Sequence, residues 1–197
     1  TFPLPRPFVL LATQNPVEME GTFPLPEAQM DRFLLKALVT SPSVEEIEII
    51  LERTTTQTLP QAPTVLDGER VLAMQALARQ VPLGDRARYW IARLGHATRP
   101  DTDGSDDLAR RDLRYGASAR AAQALALCGK VLALADGRAA VSRDDLRTVA
   151  HAALRHRIVL NFEGEAEGIT TQAVIDQALE AVRSAGSDFA HPWRVAS

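Results

Sequence analysis

The sequence predicts a mainly α fold: a short N-terminal piece of α/β character followed by a helical domain. Three observations lead there. Residues Pro7 to Thr13 (PFVLLAT) are an unbroken apolar run, the pattern of a strand covered on both faces in a parallel sheet. From Ser43 onward, apolar residues recur instead at helical spacing, beginning with Val44, Ile47, Ile50 and Leu51. Capping signals then recur along the rest of the chain, as Ser-x-x-Glu or Ser-x-x-Asp at helix starts and Asp-Gly at a helix end.

Taken in order, the strand of residues 7–13 leads into Gln14 to Leu25, where Asn15-Pro16, Gly21 and Pro24 make a loop. Pro26 to Phe33 starts a short helix, with Pro at the first turn and Glu27 near the positive end of the dipole. Leu34 to Val39 returns to strand-like composition. Ser43 and Glu46 form a capping box for the next helix. Thr58 to Thr64 (TLPQAPT) reads as a linker. Helices are expected over 68–80 and 84–98, the latter with Ala87, Trp90, Ile91 and Leu94 on one face. Charge-rich Arg99 to Asp112 reads as a mobile loop. Ser118 caps a long helix to about Ala135, ended by Asp136-Gly137. Ser142 with Asp145 opens another to about His156, Ile158 to Phe162 reads as a short strand, and Thr170 to Arg183 as the last helix. The division is then 1–41, the α/β piece; 42–82, connecting helices and linker; 83–183, a helical unit; and 184–197, a frayed tail. Residues 1–40 are expected to be poorly ordered or packed against a second molecule, because the cover that the first strand needs is not in the sequence.

The 197 residues are 46% apolar and 24% charged, ordinary for a globular protein, and the formal net charge of −3 gives no basic excess for nucleic acid or acidic membranes. No apolar run approaches the ~20 residues of a membrane span, and the first residues lack the basic-then-apolar pattern expected of a leader. A single cysteine, Cys128, forms no internal disulfide and sits in an apolar stretch. A cytoplasmic protein is expected. The start at Thr1, just before an apolar run, suggests a fragment or processed chain.

No Gly-x-x-x-x-Gly-Lys-Ser/Thr occurs; the only lysines are Lys36 and Lys130, and neither follows such a loop. The apolar strand ends in Thr13-Gln14-Asn15, with no Asp-Glu for magnesium. Asn15 at that tip is placed where open sheets bind ligands, although an Asn before Pro is also a common turn former.

The segment PFVLLATQNPVEMEGTFPLPEAQMDRFLLKA, residues 7–37, resembles the sensor-1 to arginine-finger region of MoxR-family AAA+ ATPases. YWIARLGHATR, GASARAAQAL, ADGRAAVSRDDL and HAALRHRIVL resemble successive landmarks of that family's helical lid, in the family's order. The resemblance covers about residues 3–180 and implies a C-terminal remnant of an AAA+ α/β core followed by an α-helical lid domain. It implies Asn15 as sensor 1, Arg32 of the Asp-Arg-Phe step as the arginine finger supplied to a neighbouring subunit, and Arg120 as nucleotide-binding sensor 2. ATP with Mg²⁺, a hexameric ring of identical subunits, client proteins and a von Willebrand factor A-type domain partner are implied for the intact protein. The 197 residues alone, lacking the phosphate-loop half, are not expected to hydrolyse ATP. Where the family commonly has Pro, this chain has Ala119, so a φ constraint beside Arg120 is lost.

Other readings sit beside these. Arg32 alone would read as a counter-charge at a helix end; the surrounding motif favours the finger. Arg110, Arg111 and Arg114 lie among Asp101, Asp103, Asp106, Asp107 and Asp112 and read as self-neutralised. His151 and His156 are five residues apart, off the spacing of paired metal ligands, so no metal site is expected. Glu18 and Glu20 read as solvated charge, and Tyr89 and Trp90 as packing residues. The alternative function is a non-enzymatic helical interaction module derived from an ATPase. A magnesium-chelatase-type ATPase is disfavoured by the Gly-Thr-Phe-Pro-Leu-Pro-Glu-Ala-Gln run.

Overall fold

Local capping chemistry sets most helix starts. In α2 (Val44–Thr54) the Ser43 hydroxyl accepts from the Glu46 amide while the Glu46 carboxylate accepts from the Ser43 amide at 2.8 Å. The same reciprocal pair, Ser142 with Asp145, opens α7 (Arg143–Leu154). Ser118 opens α6 (Ala119–Ala135), which closes on Gly137 at φ +67° with the Arg138 amide reaching the Ala133 carbonyl at 2.7 Å. The computed structural model describes residues 2–14, 25–56 and 61–184.

The chain divides into two compact units. The first takes residues 1–12 and 37–76. It holds α2 and most of α3 (Gly68–Gln80), and α2 has no buried residue. Phe8, Val9, Leu10 and Leu11 are exposed, as are Val44, Ile47, Ile50 and Leu51 on α2. Residues 7–13 and 34–39, both expected as strands, are not strands here: neither has a ladder partner among the described residues, and a strand is defined by that pairing.

The second unit takes residues 13–36 and 77–197. It contains α1 (Glu27–Met30), α4 (Asp85–Ala97), α5 (Asp107–Asp112), β1 (Leu113–Tyr115), α6, α7, β2 (Val159–Leu160), α8 (Phe162–Ala166) and α9 (Thr171–Ser184). Its core interleaves Trp90, Ile91 and Leu94 of α4 with Ala121, Ala124 and Leu125 of α6. Leu146, Ala150 and Leu154 of α7 and Val174, Ile175 and Ala178 of α9 complete it. Trp90 is thus a packing residue. Small alanines on α6 and α7 let these two helices approach closely.

Three further expectations need correction. The expected loop at residues 99–112 ends earlier: 99–106 run in turns, with the Arg99 guanidinium held by Asp101, while Asp106 caps α5, whose Ala109 and Asp112 are buried. Charge content hid a helix that pairs its own charges. The short strand at 158–162 is smaller, with β2 pairing antiparallel to β1, because Asn161 turns the chain and caps α8 through the Gly164 amide. The early helix is four residues long rather than eight, ending in turns at Asp31 to Leu34.

Among the described residues no helix is long and apolar enough to cross a membrane.

Candidate functional site

The Asp31-Arg32-Phe33 step leaves the end of α1 and lies against the C-terminal end of α7 and the N-terminal end of α6. Three α1 turns back-bond: the Asp31 amide donates to the Glu27 carbonyl, Arg32 to Gln29 and Phe33 to Met30. The Lys36 amide then donates to the Ala152 carbonyl at 2.8 Å, joining the segment to α7.

Asp31 is the centre of the arrangement. Its Oδ1 accepts from the Ser118 hydroxyl at 2.6 Å and from Arg157 Nε at 3.0 Å, and its Oδ2 from Arg120 Nη1 at 2.8 Å. Partial burial raises the Asp31 pKa, but the hydrogen bonds from Ser118, Arg120 and Arg157 outweigh it and hold the carboxyl below its ordinary value. The carboxylate therefore stays ionised throughout the physiological range.

Arg157 is the buried member, its side chain 2% exposed. All of its nitrogens donate. Besides Nε to Asp31, Nη2 donates to the Asp31 carbonyl at 3.1 Å and the Phe33 carbonyl at 2.6 Å, while Nη1 donates to the Leu34 carbonyl at 3.3 Å and to Ala153. Five donations match the five N–H groups of a guanidinium. Burial pulls the Arg157 pKa down from its ordinary value, against the opposing pull of Asp31.

His156 takes the other lone pair of the Phe33 carbonyl, at 3.0 Å from Nε2. A carbonyl only accepts, so Nε2 carries the proton, and the buried Nδ1 has no hydrogen-bond partner among the described residues. Burial first, then the neighbouring charges of Arg157 and Lys36, lower the His156 pKa, over the opposing effects of Phe33 and Asp31. A histidine depressed in the folded state contributes stability that is complete above its unfolded pKa of about 6.5 and is lost as pH falls through the folded value. His156→Gln keeps a donor toward Phe33 and cannot charge. Urea midpoints measured at pH 7 and pH 5 should therefore fall further in the wild-type chain than in this variant; equal falls would show that His156 is not the group responsible.

Of the residues expected from the sequence, Asn15 lies outside the described residues, as do Glu18 and Glu20. Arg32 is exposed, and its side chain has no hydrogen-bond or ion-pair partner among the described residues. Arg120 sits in the first turn of α6, 54% exposed, with one nitrogen on Asp31. Ser118 caps α6 through the Arg120 amide and touches Asp31 as well, so the helix start is fixed without a proline at Ala119. Arg111 is paired with Asp112 and Glu167. His151 Nε2 meets Asp176 at 2.9 Å, and both histidines are thus engaged within the fold. The Cys128 thiol is half-buried, and burial pushes its pKa up.

The sequence reading missed Asp31 and Arg157. The available signal was Arg157 itself, an always-charged residue set between Leu154 and Ile158, which in a buried position must have an anionic or carbonyl partner.

Residues 1–35 match the family of ATPases associated with various cellular activities, and residues 105–178 match the AAA lid domain family. The chain is 39% identical over 183 residues to the chaperone MoxR1 of Mycobacterium tuberculosis, covering 92% of this chain and 48% of that protein. It is 30% identical over 193 residues to protein MoxR of Paracoccus denitrificans, covering 88% of this chain and 55% of that one. A solved structure from Cytophaga hutchinsonii, of a protein designated a candidate ATPase, superposes with a TM-score of 0.84 at 37% identity. It covers 91% of this chain and 55% of that one. The chain spans about half the length of the curated relatives it matches.

Proposed function

Because this chain belongs to the MoxR family of AAA+ ATPases and corresponds to the C-terminal region of such a protein, we propose that it supplies the groups acting on a phosphate held by a separate, phosphate-binding half. Arg32 is the arginine finger offered to the nucleotide of a neighbouring subunit. Arg120 is sensor 2, reaching the nucleotide of its own subunit, and Asn15 is sensor 1, orienting the attacking water. The intact protein binds ATP with Mg²⁺ in a hexameric cytoplasmic ring and spends hydrolysis on remodelling or maturing client proteins, together with a von Willebrand factor A-type domain partner.

The observation that carries this reading is the contrast between two exposed arginines and the buried one beside them. Arg32 is exposed, without a hydrogen-bond or ion-pair partner among the described residues, on a segment whose backbone is held at several points, and Arg120, also exposed, has only its Nη1 engaged by a side chain among the described residues. Planar N–H forks of this kind suit the oxygens of a phosphate chain, where charge must be positioned rather than covalent bonds made. Mg²⁺ does not fit the described residues, among which no group of three His, Cys, Asp or Glu could hold a metal ion. Its ligands belong to the other half. When bound, ATP supplies the electrophilic phosphorus; the chain's own residues orient and neutralise its oxygens.

The chain itself provides a test. The purified 197 residues should show no steady-state ATP turnover, since no phosphate loop is present to hold the nucleotide. Turnover that disappears on mutating one of the chain's own residues would overturn the proposal. The alternative, a helical interaction module without catalysis, gains support if the coding sequence upstream lacks both a phosphate loop and an Asp-Glu strand.

A further inference from the structure

We infer that Arg157 is the positioning residue for Arg32, and that Asp31 ties this positioning to Arg120. The inference deepens the assignment of Arg32 as a finger and rests on it. The juxtaposition is specific. One buried guanidinium just beyond the end of α7 binds the carbonyls of Asp31 and Phe33, the residues on either side of Arg32, and that of Leu34, the next along the chain. It also binds the Asp31 carboxylate, whose other oxygen holds Arg120.

A turn leaving a four-residue helix has little stiffness of its own. Its carbonyls would point to water and its side chain would sample many directions. Saturating five donors of a rigid planar fork removes that freedom, and the His156 donation to the Phe33 carbonyl adds a further restraint. Arg32 then projects from a fixed base. Lysine cannot replace Arg157, because three donors on a flexible stem cannot reach the Asp31 carboxylate and the carbonyls of Asp31, Phe33 and Leu34 at once.

Asp31 adds a consequence. The carboxylate is shared between a buried arginine that fixes the Arg32 segment and an exposed arginine assigned to the subunit's own nucleotide. A phosphate that draws Arg120 away leaves Asp31 to Arg157 and Ser118 alone. The aim of Arg32 toward the neighbour is thereby linked to nucleotide held by the same chain.

The test uses two variants and a readout independent of catalysis. Trypsin cleaves after Arg32 only when the segment opens, and cleavage tracks the population of the open form. In the 197-residue chain at a temperature where circular dichroism shows the helices folded, Arg157→Lys should speed cleavage after Arg32 by roughly tenfold or more relative to cleavage after exposed Arg53. Asp31→Asn should act in the same direction, and it provides the readout if Arg157→Lys does not fold. Unchanged relative cleavage in the folded variants overturns the inference.

In the intact ATPase, Arg157→Lys should lower kcat by about 10²-fold with the KM for ATP little changed, the mark of misplacement rather than lost binding. Added to Arg32→Ala it should cost nothing further, because both act through one group. An additive loss overturns the positioning role. Faster cleavage together with full turnover by Arg32→Ala removes the finger assignment and leaves the positioning intact. Loss of turnover in Arg32→Ala with unchanged cleavage and unchanged kcat in Arg157→Lys does the reverse.

Discussion

Arg32→Ala in the intact protein should lower ATP turnover by about 10³ to 10⁵ while leaving nucleotide binding nearly unchanged. The magnitude is that of arginine fingers in general, which stabilise charge that develops only in the transition state. Arg32 fits such a role because its side chain is exposed, and removing it breaks no hydrogen bond or ion pair among the described residues. The melting temperature should therefore stay within a degree or two of wild type, consistent with a surface substitution away from packed features. Mixing this variant with a subunit whose own phosphate loop is disabled should restore activity, since each carries what the other lacks at a shared interface. Mixtures that never exceed the sum of their parts would show that Arg32 does not act across subunits.

Gly116→Ala should destabilise the helical unit by about 3 kcal/mol, toward the upper end of overpacking costs. A Cβ at Gly116 would stand 2.7 Å from both the Thr98 carbonyl carbon and Arg99 Cα, with the Thr98 carbonyl oxygen nearer still. These are backbone atoms. They cannot swing aside as a side-chain tip would, so the chain after β1 must move off the end of α4. Thr98 is itself fully buried and tied back to the Leu94 and Gly95 carbonyls, which leaves it little room to yield. Gly95→Ala is the control. No atom from outside its own turns of α4 lies within 4 Å of a Cβ there among the described residues, and inside α4 the exchange should stabilise by up to about 1 kcal/mol. Urea unfolding of the two variants should thus shift in opposite directions; a Gly116 variant with the wild-type midpoint would refute the close approach.

What is local in this chain was legible from residue order alone. Ser43 with Glu46, Ser118, Ser142 with Asp145, and Asp136-Gly137 fix helix ends because a cap needs only a side chain three residues away or a glycine at positive φ. The periodicity of α4, α6, α7 and α9 is equally local, and it sufficed for a mainly α fold. The family was legible from continuous motif, and with it Arg32 and Arg120 as candidates. Local pattern failed where the deciding partner is distant or is not among the described residues. The apolar run at residues 7–13 has strand composition, yet composition cannot supply a neighbouring edge. The charged stretch before β1 reads as a loop until Ala109 and Asp112 are seen to be buried. Tertiary structure alone decided that Asp31, Ser118, Arg120 and Arg157 meet, across separations of 87, 89 and 126 residues from Asp31. No spacing rule spans such distances. A buried guanidinium announces in the sequence only that it needs a partner; which carboxylate and which carbonyls it finds depends on how the helix ends are brought together by the core.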